Sequence, residues 1–267
     1  MGIIGGGNMG EAIIAGVIEK GIMKPEEILV SDIKEERLNY LKEEYGVGVT
    51  KSNKEVVSVS TLILLAVKPQ DMRKVVLEFK DTSWKEKLFV SIAAGLKISF
   101  FKNLLGPHLK IVRVMPNLCI KVKKGITAIS PSPEVKREEL EKVKTIFSSL
   151  GRVLEIGEDL MDGITAFSGS GPAYVFYFLE ALEESARSLG FPSDVARALS
   201  RQLLEGSIEL LKKEEDPMKW RLRVTSPGGT TEKAISYFEK KNLKKIIMEG
   251  IKEAMVRARE LSQLLES

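Results

Sequence analysis

The chain has 267 residues, with 41 basic and 37 acidic side chains and a formal net charge of +4. So small an excess on a mixed surface gives no reason to expect nucleic acid, whose usual footprint is a concentrated basic face, and the single cysteine, Cys119, excludes an internal disulfide. No apolar run approaches the roughly 20 residues that a bilayer span needs. The expectation is a cytoplasmic protein with neither a nucleic-acid nor a membrane partner. Charged residues make up 29%, and glutamine stands only at 70, 202 and 263, a bias shared with heat-adapted proteins.

The N-terminal half alternates strand and helix. A short apolar start, "MGII", leads through glycines into a helix with Ile13, Ile14, Val17 and Ile18 on one face. "EILVSD" (27–32) is predicted as a strand, and "KEERLNYLKEEYG" (34–46) as a helix closed by Gly46. "STLILLAV" (60–67) is a continuous apolar run of strand length, suited to a buried parallel strand. "MRKVVLEF" reads as a short helix. "LFVSIAAG" (88–95), "KIVRVMPN" (110–117) and "GITAIS" (125–130) read as strands. A helix over 133–151 and a last strand, "RVLEIGE", complete the half. This alternation predicts a doubly wound parallel sheet of Rossmann type over residues 1–157.

Gly5-x-Gly7-x-x-Gly10 follows a strand and opens a helix, and Asp32 closes the second strand 22 positions after Gly10. This is the dinucleotide fingerprint in its expected setting. Gly5 permits the tight turn, Gly7 admits the pyrophosphate to the backbone, and Gly10 lets the helix pack on the strand. Asp32 suits the ribose 2′-hydroxyl of NAD. Lys34, helped by Ser31 and with Arg37 near, suits a 2′-phosphate. NADH and NADPH both stay open. Only four residues precede Gly5, which makes the first strand unusually short unless the start lies upstream.

From about residue 159 the strand signals stop. Helices are predicted over 171–190, with Pro172 in the first turn, over 193–215 behind a Ser193/Asp194 cap, and over 230–241 and 243–266. A second, all-helical domain over 158–267 with this much apolar surface completes its core with a second copy, so at least a dimer is expected.

Acid–base chemistry is sparse. His108, the one histidine, lies in a loop after Gly106-Pro107, no Cys/His cluster has metal spacing, and no lysine occurs between 145 and 211. A ketone reductase needs a proton donor, whereas a protonated C=N carbon is already electrophilic and needs binding and orientation. "SPGGTT" (226–231) is suited to bind and orient such a substrate. Pro227 stops the preceding helix, Gly228 and Gly229 expose amides, and Thr230 and Thr231 are placed at the cap of the next helix. Free donors at a helix start hold a carboxylate, although hydroxyls there also serve as an ordinary cap. A reductase of another cyclic imine acid, such as the six-membered ring, stays open, since only pocket size would separate the two, whereas a non-catalytic dinucleotide sensor has no need of the "SPGGTT" carboxylate site.

The motifs "GGGNMGEA" (5–12), "SNKEVV" (52–57), "LAVKPQ" (65–70), "SIAAG" (91–95), "RVMPN" (113–117), "GITAFSGSGPAYVF" (163–176) and "VTSPGGTTEKA" (224–234) run from end to end. With them the chain resembles pyrroline-5-carboxylate reductase. The resemblance implies NADPH- or NADH-dependent reduction of 1-pyrroline-5-carboxylate to proline. Gly5, Gly7, Asn8, Met9 and Gly10 would wrap the pyrophosphate. Asn53, Ala66, Val67, Lys68 and Pro69 would line the cofactor crevice. Ala93, Ala94, Gly95, Met115, Pro116 and Asn117 would lie on the nicotinamide side. Ser226, Gly228, Gly229 and Thr230 would hold the substrate carboxylate, and Thr231 the ring nitrogen. It further implies interlocked dimers, pockets built from both subunits, and a ring of five dimers. Where the family has Thr-Pro after "MPN", this chain has Leu118-Cys119.

Overall fold

The computed structural model describes residues 1–266. The chain divides into two compact units: Met1–Ser170 together with the chain from Ala254, and Gly171–Glu253.

The first unit is built on an eight-stranded sheet. Its elements in order are β1 (Gly2–Ile4), α1 (Asn8–Glu19), β2 (Leu29–Ser31), α2 (Glu35–Tyr45), β3 (Gly48–Thr50), α3 (Asn53–Val59), β4 (Leu62–Leu65), α4 (Pro69–Glu78), β5 (Leu88–Ser91), α5 (Ile98–Leu105), β6 (Lys110–Met115), β7 (Gly125–Pro131), α6 (Arg137–Ser148), β8 (Gly151–Glu155) and α7 (Met161–Ile164), which runs into a π-turn at Thr165–Gly169. The spatial order is β3-β2-β1-β4-β5-β6-β7-β8. β1 therefore pairs in parallel with β2 on one side and β4 on the other.

The sheet is not parallel throughout, because β6 and β7 run antiparallel. A parallel return needs a crossover of about a dozen residues or more, and only residues 116–124, including a single 3-10 stretch at Leu118–Val122, join these strands. α6 then supplies a proper crossover, and β8 returns parallel to β7.

Strand residues alternate between two cores, as a period of two requires. Ile3, Val30, Leu64, Val90 and Val112 face one side with Ile13, Ile14 and Val17 of α1 and Val143 and Phe147 of α6. Ile4, Ile63, Leu65, Phe89 and Ile111 face the other with Val56 and Val57 of α3, Met72 and Val76 of α4 and Phe101 of α5. Full burial of each such side chain contributes about 1.5–3 kcal/mol. Phe79 stacks on Phe89 with centroids 5.8 Å apart.

The second unit contains α8 (Gly171–Ser188), α9 (Ser193–Leu211), α10 (Pro217–Arg223), α11 (Thr230–Lys240) and the first turns of α12 (Leu243–Glu266), whose later turns belong to the first unit. Two caps differ from the sequence expectation. α9 is capped at Pro192, with Ser193 and Asp194 already helical. α11 is capped at Gly229 with no side-chain cap bond, so Thr230 and Thr231 are its first two helical residues. α8 has no buried residue, and its aromatic Tyr177 is 76% exposed.

Candidate active site

The residues predicted to meet a dinucleotide lie at the C-terminal ends of β1, β2, β4, β5 and β6, in the loops that leave them and in the first turns of α1 and α4, with Asn53 at the start of α3. They cluster where β1 lies between β2 and β4, the point at which the strand order reverses and open α/β sheets hold ligands. Gly5 follows β1 with φ +103°, and a Cβ there would lie 2.8 Å from the Ala66 carbonyl oxygen. A Cβ on Gly10 would strike the Gly5 carbonyl oxygen, whereas one on Gly7 would meet nothing within 4 Å. Gly7 is also the N-cap of α1, with no side chain closing it. The helix start thus opens onto free space with its first amides turned outward, as a diphosphate requires. These residues fit a dinucleotide.

Asp32, just past β2, accepts from the Gly6 amide (2.8 Å) and the Lys34 amide (2.9 Å). Ser31 donates to Asn53 Oδ1 (2.6 Å), and Asn53 Nδ2 donates to Glu78 Oε2 (2.6 Å). Arg37 is not available as a phosphate ligand: its Nε donates to the Gly6 carbonyl and its Nη2 to Glu11. Burial works to raise the Glu11 carboxyl, but the bonds from Arg37, Tyr40 and Tyr45 and the Arg37 charge hold it below its ordinary range. Burial and then Glu11 push the Tyr45 phenol up.

Ala66 donates its amide to the Ile4 carbonyl (2.8 Å), Lys68 caps α4, and Pro69 is its first residue. Ala93, Ala94 and Gly95 follow β5, with Gly95 at φ +80°. A mostly apolar cavity of about 330 Å³ opens beside Pro69, Ala94, Gly95, Thr165 and Leu261. Met115 ends β6. Asn117 fixes the loop that follows by accepting from the Ile126 amide (3.3 Å) and donating to Ser168 Oγ (3.4 Å).

Sequence reasoning missed the group beneath this loop. Arg113, in the middle of β6, is 4% exposed and paired with Glu158 (3.4 Å) and Asp162 (3.0 Å). Glu158 also accepts from the Ile98 amide at the start of α5 (2.7 Å). The available signal was a charge inside the apolar run "KIVRVM".

The residues predicted for the substrate gather on one turn of the second unit. Gly228 has φ +72°, and its amide donates to Glu232 Oε2 (2.7 Å). The Gly229 amide donates to the Ser226 carbonyl (3.0 Å). The hydroxyls of Thr230, exposed, and Thr231, half-buried, do not cap α11. His108 is exposed between α5 and β6, and no metal-holding cluster occurs among the described residues.

Residues 158–261 match the family model for pyrroline-5-carboxylate reductase dimerisation, and residues 1–95 match that for NADP oxidoreductase, coenzyme F420-dependent. The chain is 40% identical over 264 residues to pyrroline-5-carboxylate reductase of Synechocystis sp., covering 98% of each. It is 34% identical to pyrroline-5-carboxylate reductase 2 of Bacillus subtilis, covering 98% of this chain and 95% of the relative. Among solved structures, a pyrroline-5-carboxylate reductase from Coxiella burnetii superposes with a TM-score of 0.90 at 35% identity, covering 97% of each chain. The Plasmodium falciparum pyrroline carboxylate reductase with NADP bound gives 0.87 at 30%, covering 98% of this chain and 97% of its own. A full-length match at this identity, carried on a Rossmann-type unit and a helical dimerisation region, places the chain in the pyrroline-5-carboxylate reductase family.

Proposed function

We propose that the chain reduces 1-pyrroline-5-carboxylate to L-proline with NADPH or NADH, with the roles of individual residues assigned as follows. The observation that carries the reading is the 226–231 turn. Its Gly228 amide already holds a carboxylate, that of Glu232, while the Thr230 and Thr231 hydroxyls beside it are not spent on capping. Ser226, Gly228, Gly229 and Thr230 hold the substrate carboxylate, and Thr231 hydrogen-bonds the ring nitrogen.

Reduced nicotinamide, when bound, supplies the hydride for the C=N carbon. The ring nitrogen carries its proton from solvent, so the protein has no acid to provide. Its residues bind, orient and exclude water. Gly5, Gly7, Asn8, Met9 and Gly10 take the pyrophosphate, and Ser31, Asp32 and Lys34 face the adenosine ribose. Asn53 and Ala66–Pro69 line the crevice, with Ala93–Gly95 and Met115–Asn117 on the nicotinamide side.

The functional division lies between residues 157 and 158, supported by the dimerisation match that begins at 158. The exposed apolar side chains of α8 are covered by a second copy, and five such dimers form the larger assembly. No helix among the described residues is long and apolar enough to cross a membrane, and the protein works in the cytoplasm. The test is steady-state oxidation of NADPH and NADH by the purified protein with pyrroline-5-carboxylate added. Measurable cofactor binding without turnover on either would sink the assignment.

A further inference from the structure

Family membership leaves open which nicotinamide cofactor this chain takes, and the end of β2 bears on the choice. Resting on the reading above, we infer that the chain selects NADH over NADPH, with Asp32 as the selecting residue. In this fold the adenosine ribose lies at the tip of the second strand beside the glycine turn. Asp32 stands at that tip, and its carboxylate is held over the turn by the Gly6 and Lys34 amides at 2.8 and 2.9 Å. A carboxylate so fixed accepts from ribose hydroxyls and repels a 2′-phosphate.

A 2′-phosphate needs cations, and the surrounding elements commit theirs elsewhere. Arg37 of α2 is bonded to the Gly6 carbonyl and Glu11, and its guanidinium stacks on Tyr40 at 4.9 Å. Lys51, after β3, pairs with Glu35 at 2.8 Å. Ser31, the hydroxyl best placed to help a phosphate, donates to Asn53, which in turn bonds the Glu78 carboxylate of α4. Lys34, exposed at the cap of α2 and followed by Glu36, and Lys54, exposed beside Asn53 at the start of α3, remain. With Glu35 set against Lys51, these two lysines face Asp32, Glu36 and Glu78 and do not outweigh them.

Isothermal titration of the purified, assembled protein with NADH and NADPH, without imine, tests this directly. NADH should bind about ten- to a hundredfold more tightly, the usual cost of a lost hydrogen bond to a charged group with a like charge set against it. NADPH binding as tightly as NADH or more so would overturn the inference. In the Asp32→Ser variant, and in the shape-conserving Asp32→Asn variant should the first fail to fold, the gap should shrink at least severalfold. An unchanged gap in either folded variant would overturn the assignment to Asp32. Because binding is read without turnover, an NADH-selective protein inactive on pyrroline-5-carboxylate would remove the proposed reaction and leave this inference standing.

Discussion

Arg113 Nη2 donates to Asp162 Oδ1 at 3.0 Å, and the same carboxylate oxygen accepts from Ser262 Oγ of α12 at 3.4 Å. With Glu158, this makes Arg113 a buried tie between β6, whose end carries Met115-Pro116-Asn117, and the segments that follow the sheet. Removing one partner of a buried pair costs more than the pair contributes, because the other charges are left without compensation. Arg113→Ala should therefore lower stability by about 3 kcal/mol, with Arg113→Lys intermediate. Denaturant titration checks this, and a loss below about 1 kcal/mol, the range of an exposed pair, would show that the tie is not structural.

The glycines of the first turn separate folding from binding. A Cβ on Gly10 would run into the Gly5 carbonyl oxygen, while one on Gly7 would point into open space, and Gly7 has an ordinary φ of −68°. Gly10→Ala should lower the melting temperature by several degrees, as a backbone clash of about 1–3 kcal/mol would (roughly 2–4 °C per kcal/mol at this size). Gly7→Ala should melt like the parent yet lose at least tenfold in affinity for cofactor. Equal melting temperatures for the two variants would refute the packing role of Gly10.

Much of this was legible in the sequence, for a reason visible in particular residues. Ile3 and Ile4, or Ile63 and Leu64, face opposite cores, so buried strands appear as unbroken apolar runs, and α1 announces itself through Ile13, Ile14 and Val17. The apolar runs extend past the strands at their C-terminal ends: "LFVSIAAG" is strand only to Ser91, since Ala93–Gly95 turn away at the cofactor edge. The antiparallel β6–β7 pair was hidden because strand signals carry no direction. β3, three residues with a glycine, gave too little pattern to detect. The commitment of Arg37 to Glu11 joins residues 26 apart, and no local pattern reports such a pairing.

Thr231 is half-buried at the second helical position of α11, with its hydroxyl free of capping duty. If it bonds the ring nitrogen, Thr231→Ala forfeits a hydrogen bond to a charged group, about 1.5–3 kcal/mol and so roughly ten- to a hundredfold in kcat/KM. The fold should survive, because the cap of α11 does not depend on this hydroxyl. Thr230→Ala should act on KM for the imine acid instead. Unchanged kinetics in the Thr231 variant would remove that residue from the mechanism.

Glu11 gives a prediction in pH. Arg37 Nη2, Tyr40 OH and Tyr45 OH all converge on its carboxylate, the two phenols at 3.1 Å. Burial alone would raise its pKa, but the three donors and the Arg37 charge win and hold the carboxyl below its ordinary range in the folded state. A depressed folded pKa means that its contribution to stability is complete above the unfolded value and is lost as pH falls through the folded one. Glu134 and Glu139 are depressed as well, and they form a background that a change at residue 11 leaves in place. Glu11→Gln should therefore be less stable than the parent near neutral pH, and should lose less melting temperature between about pH 6 and about pH 3. Parallel melting curves across that range would show that Glu11 carries no linked stability and that the Arg37 contact does not hold its charged form.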